Sequence, residues 1–182
     1  MNQVMVDLET LGNRPGCVVI SIGAVRFDET GLGPDFYAEI SQFDSERHGL
    51  RADLSTMRWW KSKPMDAAQV VWRTSAEPST SIYSLSDALN AFGAWLPSRS
   101  EIWGNGAAFD NIILAECFKA AGIKMPWDFK RDRCYRTLKS LFPEVPFKRT
   151  GTYHNALDDA RSQAVHASAI LRWMKTGVRK SA

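Results

Sequence analysis

The chain has 182 residues, which fits one ordinary domain, and its 45% hydrophobic content lets apolar burial offset the entropy of ordering, so a disordered chain is excluded. A net charge of +3 and a pI near 8.8 are compatible with a polyanionic partner but are equally common among proteins that never meet one. Cys17, Cys117 and Cys134 are odd in number, far apart and in no Cys-x-x-Cys spacing, which implies neither a disulfide framework nor a cysteine zinc site and leads us to expect a reducing, cytoplasmic compartment.

The opening stretch MNQVMVDLE lacks a basic region ahead of an apolar run, and no long apolar segment follows, so neither secretion nor membrane insertion is expected. Val4 to Leu8 is a short apolar run and Val18 to Phe27 a β-branched one, parted by the turn-rich LGNRPGC; they read as two strands of a hairpin. A third strand around Phe36 to Ile40 follows the turn residues of ETGLGPD and completes an antiparallel meander. From Asp53 the pattern turns helical, first through LSTMRWWKSK and then, after Pro64, through MDAAQVVWR. Ser84 and Asp87 resemble a capping box opening SLSDALNAFGAWL, whose Leu85, Leu89, Phe92 and Leu96 recur at helical spacing.

Glu101 to Trp103 reads as a strand, Gly104-Asn105-Gly106 as a tight connection, and AAFDNIILAECFKAAG as a helix closed by Gly122, which together make an α/β unit. The last helix is expected from about Asn155 to Met174, its apolar stripe running through Leu157, Ala160, Ala164, Ala167 and Leu171. Residues 176–182 are expected to fray, and residues 1–182 to form a single domain without repeats or linkers.

Four groups of residues carry chemical potential. Asp7 and Glu9 are two apart on a strand, so they point to one face while Val4, Val6 and Leu8 point to the other. Two carboxylates held together repel unless a proton or a divalent cation intervenes, although an isolated Asp-x-Glu more often merely ends a strand in solvent. Asp110 falls near the start of its helix, where the macrodipole alone gives a carboxylate reason to be. His154 precedes the last helix, and Asp158 and Asp159 occupy its first turn; both flank the apolar stripe at similar angles, so periodicity does not choose between them. Acidic residues and one histidine at three separated segments suit metal-assisted hydrolysis better than a cysteine or serine mechanism.

The order and spacing resemble the DEDDh exonucleases of the DnaQ-like, RNase H-like superfamily, which includes ribonuclease T, oligoribonuclease, polymerase proofreading subunits and phage and bacterial 3′-to-5′ exoribonucleases. DLETLG is similar to the first motif, WGNGAAFDN to the second, and YHNALDDA to the third, His-x-Ala-x-x-Asp; the likeness spans residues 4 to about 170. The resemblance implies an RNase H-like α/β fold, a mixed five-stranded sheet flanked by helices. It implies that Asp7, Glu9, Asp110 and Asp159 ligate two divalent cations, Mg2+ or Mn2+, and it selects Asp159 over Asp158. His154 would be the general base of a two-metal hydrolysis that releases nucleoside 5′-monophosphates from single-stranded RNA or DNA 3′ ends. Thr10, Leu11 and Phe109 would line the terminal-nucleotide pocket, with a core position the equal alternative for Leu11 and Phe109. Asn105 and Gly106 depart from the family's frequent His-Asn, and a glycine there offers the substrate no side chain.

A homodimer is expected by the same analogy. Trp59 and Trp60, beside Arg58, Lys61 and Lys63, combine aromatic surface with charge and suit either base stacking or a packed helix or dimer contact; His48 and His166 are expected to be uninvolved. A binding module without turnover and a dinucleotide phosphodiesterase are the alternative functions.

Overall fold

The computed structural model describes residues 1–106 and 108–177. Its elements in chain order are β1 (Gln3–Thr10), β2 (Val19–Asp28), β3 (Gly31–Glu39), α1 (Gln42–Arg47), α2 (Leu54–Lys61), α3 (Met65–Thr74), α4 (Leu85–Trp95), β4 (Glu101–Gly104), α5 (Asp110–Ala120), β5 (Asp132–Cys134), α6 (Tyr135–Leu141) and α7 (Ala156–Gly177). The strands form one mixed five-stranded sheet in the order β3-β2-β1-β4-β5, antiparallel across β1, β2 and β3 and parallel across β1, β4 and β5. This is the RNase H-like arrangement expected from the sequence.

Alternation along β1 divides the core. Val4, Val6 and Leu8 face a large apolar layer that includes Leu89 and Phe92 of α4 and Ile113 and Phe118 of α5. Met5, on the opposite face, packs with Val25 and Phe27 of β2 against Ala160, Ala164 and Ala167 of α7. The alanines let α7 lie close to the sheet, and a larger side chain at the fully buried Ala164 would overpack that seam at a cost of about 1–3 kcal/mol.

The elements differ from expectation at their edges. β3 begins at Gly31 rather than near Phe36, because an edge strand tolerates Pro34: the register shifts between Val25 and Phe27, so that the stretch from Leu32 to Asp35 carries an extra residue. The short elements α1, β5 and α6 have no counterpart in the sequence reading. The helix expected from Ala107 begins at Asp110, and Ala107 lies outside the described residues. Thr176 and Gly177, expected to fray, belong to α7; residues 178–182 lie outside the described residues. No helix among the described residues is long and apolar enough to cross a membrane.

Candidate active site

The α7-facing side of β1 changes character in one step, from Met5 to Asp7 and Glu9. Met5 pairs across the sheet with Val25, Asp7 with Gly23 and Glu9 with Ser21, so the large apolar neighbours stop where the carboxylates begin. β4 pairs with β1 only from Gln3 to Met5, leaving the later part of that β1 edge without a strand. Asp110 fills the vacancy. Its Oδ1 accepts a hydrogen bond from the Leu8 N–H at 3.3 Å and its Oδ2 one from the Asn105 N–H at 2.7 Å. Gly104 permits this approach, because a Cβ there would fall 2.3 Å from Asn111 Oδ1 and 2.9 Å from Asp110 Cβ.

The third segment arrives on α7. Asn155 caps the helix by accepting the N–H groups of Leu157 and Asp158, each at 3.1 Å, and His154 just before it adopts a left-handed backbone with φ of 61°. Asp158 turns away from the cleft and accepts the Thr152 N–H at 2.8 Å. Asp159 turns inward, where it pairs with Arg149. Glu9, His154 and Asp159 each present a ligand atom within 4.8 Å of the other two.

These groups line a cleft of about 620 Å3 that holds Asp7, Glu9, Asp110, Asp159 and His154 together. Thr10 and Phe109 also line it. Thr10 donates its hydroxyl to the Gly12 carbonyl at 2.5 Å, and Phe109 is half-buried with its inner side against the main core. Leu11 does not line the cleft: it is 1% exposed and packs in the main core, because the chain bends inward after β1 toward Val18 and places this residue beneath the sheet's end. Leu11 thus takes the core position, one of the two places expected for it.

The crowding of carboxylates has an electrostatic consequence. Asp7 is held well above the ordinary carboxylate range, chiefly by desolvation and then by repulsion from Asp110, Glu9 and Asp159, opposed by a 2.7 Å hydrogen bond from Gln163 Nε2. Burial, reinforced by Asp159 and Asp110, pushes Glu9 up to about 8. Asp110 rises to about 6 through burial, restrained by its backbone hydrogen bonds and by Arg136. Asp159 is raised by burial against the pull of Arg149. His154 is lowered, first by burial and then by Lys63 and Arg149, which keeps its imidazole neutral at neutral pH.

Oxygen donors that repel one another in a poorly hydrated cleft are the set a hard divalent cation satisfies, so the residues present fit such a group. Several members of the site went unread in the sequence. Gln163 stands one helical turn beyond Asp159, a spacing that signals a shared face, whereas Arg149 and Arg136 sit in segments whose charge resembles ordinary surface. The tryptophans divide their roles: Trp60 is buried and donates its Nε1–H to the Thr10 carbonyl at 2.9 Å, while Trp59 is 41% exposed on the cleft wall. Their rings meet the His154 ring edgewise at 5.9 and 4.9 Å respectively. His166 lies in neither the cleft nor the carboxylate cluster.

The sequence matches the model of the 3′-5′ exoribonuclease Rv2179c-like domain over residues 2–171. The chain belongs to this family. Membership makes it a 3′-5′ exoribonuclease-like domain. It is similar to an exodeoxyribonuclease of Enterobacteria phage T4, at 25% identity over 132 residues, and spans 56% of that protein's length and 65% of its own. Among solved structures, the nuclease domain of 3'hExo, a DEDDh family member bound to rAMP, superposes with a TM-score of 0.62 at 12% identity, covering 96% of this chain and 92% of that one. Exonuclease X in complex with 5′ overhanging duplex DNA superposes at 0.53 and 13% identity, covering 96% and 93%. Cell-death related nuclease 4 also superposes at 0.53, with 14% identity, covering 99% of this chain and 64% of that one. At such identities the structural likenesses establish the fold.

Proposed function

We propose that this exonuclease removes single nucleotides from the 3′ end of a nucleic-acid strand, with water as nucleophile, His154 as general base and a nucleoside 5′-monophosphate as product. The observation that carries this reading is the convergence of Asp7, Glu9, Asp110, Asp159 and His154, drawn from three distant segments, on one cleft. The four carboxylates would hold two divalent ions, Mg2+ or Mn2+. When bound, such ions neutralise the carboxylates, make a ligated water more acidic and stabilise charge on the departing oxygen.

His154 is suited to its part because its neighbours keep it neutral and therefore able to accept a proton. The water's proton passes to the imidazole as the water oxygen forms a bond to the terminal phosphorus. The bond from phosphorus to the 3′ oxygen of the preceding nucleotide breaks, and that oxygen leaves as the new 3′ hydroxyl after taking up a proton. Trp59 and Trp60 hold the imidazole edgewise and restrict its rotation. Thr10 and Phe109 are placed to border the terminal nucleotide, and Arg149 offers a cation beside the reacting phosphate.

Digestion of matched 5′-labelled RNA and DNA oligonucleotides with Mg2+ or Mn2+, beside Asp7→Ala and His154→Ala variants, tests this reading. The expected result is a ladder that shortens from the 3′ end and fades in both variants, the faster substrate giving the sugar preference. Failure to shorten either strand despite metal binding would sink it and favour a dinucleotide hydrolase or a binding module.

A further inference from the structure

A second groove of about 620 Å3 opens from the active-site cleft, and Asn105 and Arg136 line both. Arg136 stands at the junction, donating to the Asn105 carbonyl at 2.6 Å while the Asn105 N–H holds Asp110. Beyond it, Lys139 lies one turn further along α6, and the far wall is the segment that carries Phe142, Val145 and Phe147. The charged lining of the two spaces differs: four carboxylates and two arginines, Arg136 and Arg149, line the cleft, whereas Arg136 and Lys139 are the charged residues among those described along the groove, with no carboxylate among them.

The groove is built on a buried support. His166 is 3% exposed and touches Tyr135 Oη through Nδ1 and the Val145 carbonyl through Nε2, both at 2.8 Å. A carbonyl only accepts, so Nε2 carries a proton and donates to Val145. This one histidine thus ties α6 and α7 to the far wall. The Phe147 ring rests against His166 at 5.5 Å yet remains 38% exposed, and the Lys139 ammonium sits 4.5 Å from its centre. Exposed aromatic faces beside cations are the means by which proteins hold single strands without reading their sequence.

We propose that this groove is a second nucleotide-binding subsite, which receives the strand just upstream of the terminal nucleotide: Arg136 and Lys139 take its phosphates, and Phe147 stacks on a base. The inference rests on the exonuclease reading above, which supplies the direction from cleft to groove. A strand whose 3′ end lies among the carboxylates leaves past Arg136 without crossing a negative surface. Displacing Lys139 from the Phe147 face costs little, because the same ammonium then meets a phosphate.

The test is chain-length dependence. Catalytic efficiency is measured on a dinucleotide and a hexanucleotide of the preferred sugar, and binding of a 5′-labelled hexanucleotide is followed against salt, for the wild type, Lys139→Gln and Phe147→Leu. Lys139 is exposed and Phe147→Leu keeps apolar contact with His166 while removing the stacking face, so both chains are expected to fold. The wild type should prefer the hexanucleotide, and each variant should lower the hexanucleotide-to-dinucleotide ratio by roughly fivefold or more. Lys139→Gln should also reduce the slope of log affinity against log salt by about 0.7, the loss of one phosphate contact to a single strand. Equal efficiency on both lengths, or variants that retain the wild-type ratio and slope, would overturn the subsite. A chain that binds the hexanucleotide through Lys139 yet digests nothing would instead overturn the proposed function and leave the subsite standing.

Discussion

A Cβ on Gly23 would lie 2.2 Å from the backbone carbonyl carbon of Ala156. Gly23 is the cross-strand partner of Asp7, so the one position in β2 without a side chain is where the start of α7 reaches the sheet beside the carboxylates. His154 and Asp159 stand two residues before and three after Ala156, and their placement depends on that close approach.

Gly23→Ala is therefore expected to push the start of α7 off the sheet. Overpacking of this kind costs about 1–3 kcal/mol of stability, but the larger effect should be on turnover, because a displacement of about 1 Å in a positioned group can cost roughly 100-fold. Thermal unfolding beside steady-state kinetics checks this. A variant that melts lower yet turns over normally would show that the close contact serves packing alone.

The carboxylate cluster predicts an unusual relation between pH and stability. Glu9 rises from an ordinary 4.5 to about 8 and Asp110 from 3.8 to about 6, so between these limits the folded chain binds more protons than the unfolded one. Stability contributed by raised groups is present at low pH and lost as pH climbs through the folded values, so the metal-free chain should weaken from about pH 4.5 toward pH 8. Divalent ions require the deprotonated ligands and should restore what is lost. The rise in Tm on adding saturating Mn2+ should be larger at pH 8 than near pH 5.5; an equal rise at both would contradict the electrostatic account.

Alternation in β1 made Asp7 and Glu9 legible as a pair on one face, because a strand's period of two is strict once Val4, Val6 and Leu8 are assigned to the core. The helical wheel did not separate Asp158 from Asp159, since what separates them is a loop contact: Asp158 accepts the Thr152 N–H, and no periodicity encodes that. β5 and α6 were illegible for a different reason. DRC is two charged residues and a cysteine with no pattern of its own, and it is a strand because Ile102 to Gly104 offers it an edge. Leu11 could be read either as pocket or as core from sequence, and only the inward bend of the chain after β1 decided it.

His154 supplies a prediction whose sign is fixed by its neighbours. Burial, Lys63 and Arg149 all lower its pKa, so the acid limb of the pH–rate profile should have its midpoint below the ordinary 6.5. Lys63→Gln removes a like charge and should move that limb upward, toward 6.5, whereas His154→Ala should lower turnover by about 100- to 10,000-fold across the range. Profiles taken at saturating metal check both. A limb that ignores Lys63 would mean that another group governs it.

Gln163 is a positioning residue for Asp7. It is buried, one turn beyond Asp159 on α7, and its Nε2 donates to Asp7 Oδ1 at 2.7 Å across 156 residues of sequence. That hydrogen bond favours the ionised carboxylate and fixes the direction in which its other oxygen faces. Gln163→Leu keeps the volume and removes the donor, so Asp7 should become harder to ionise and freer to rotate. Outer contacts of this kind are worth about 10- to 100-fold in metal affinity or turnover. A metal titration of activity should show a raised half-saturation that improves as pH rises, because the variant's defect is partly one of ionisation; a purely structural role for Gln163 would lower the amount of active protein without moving the half-saturation or its pH dependence.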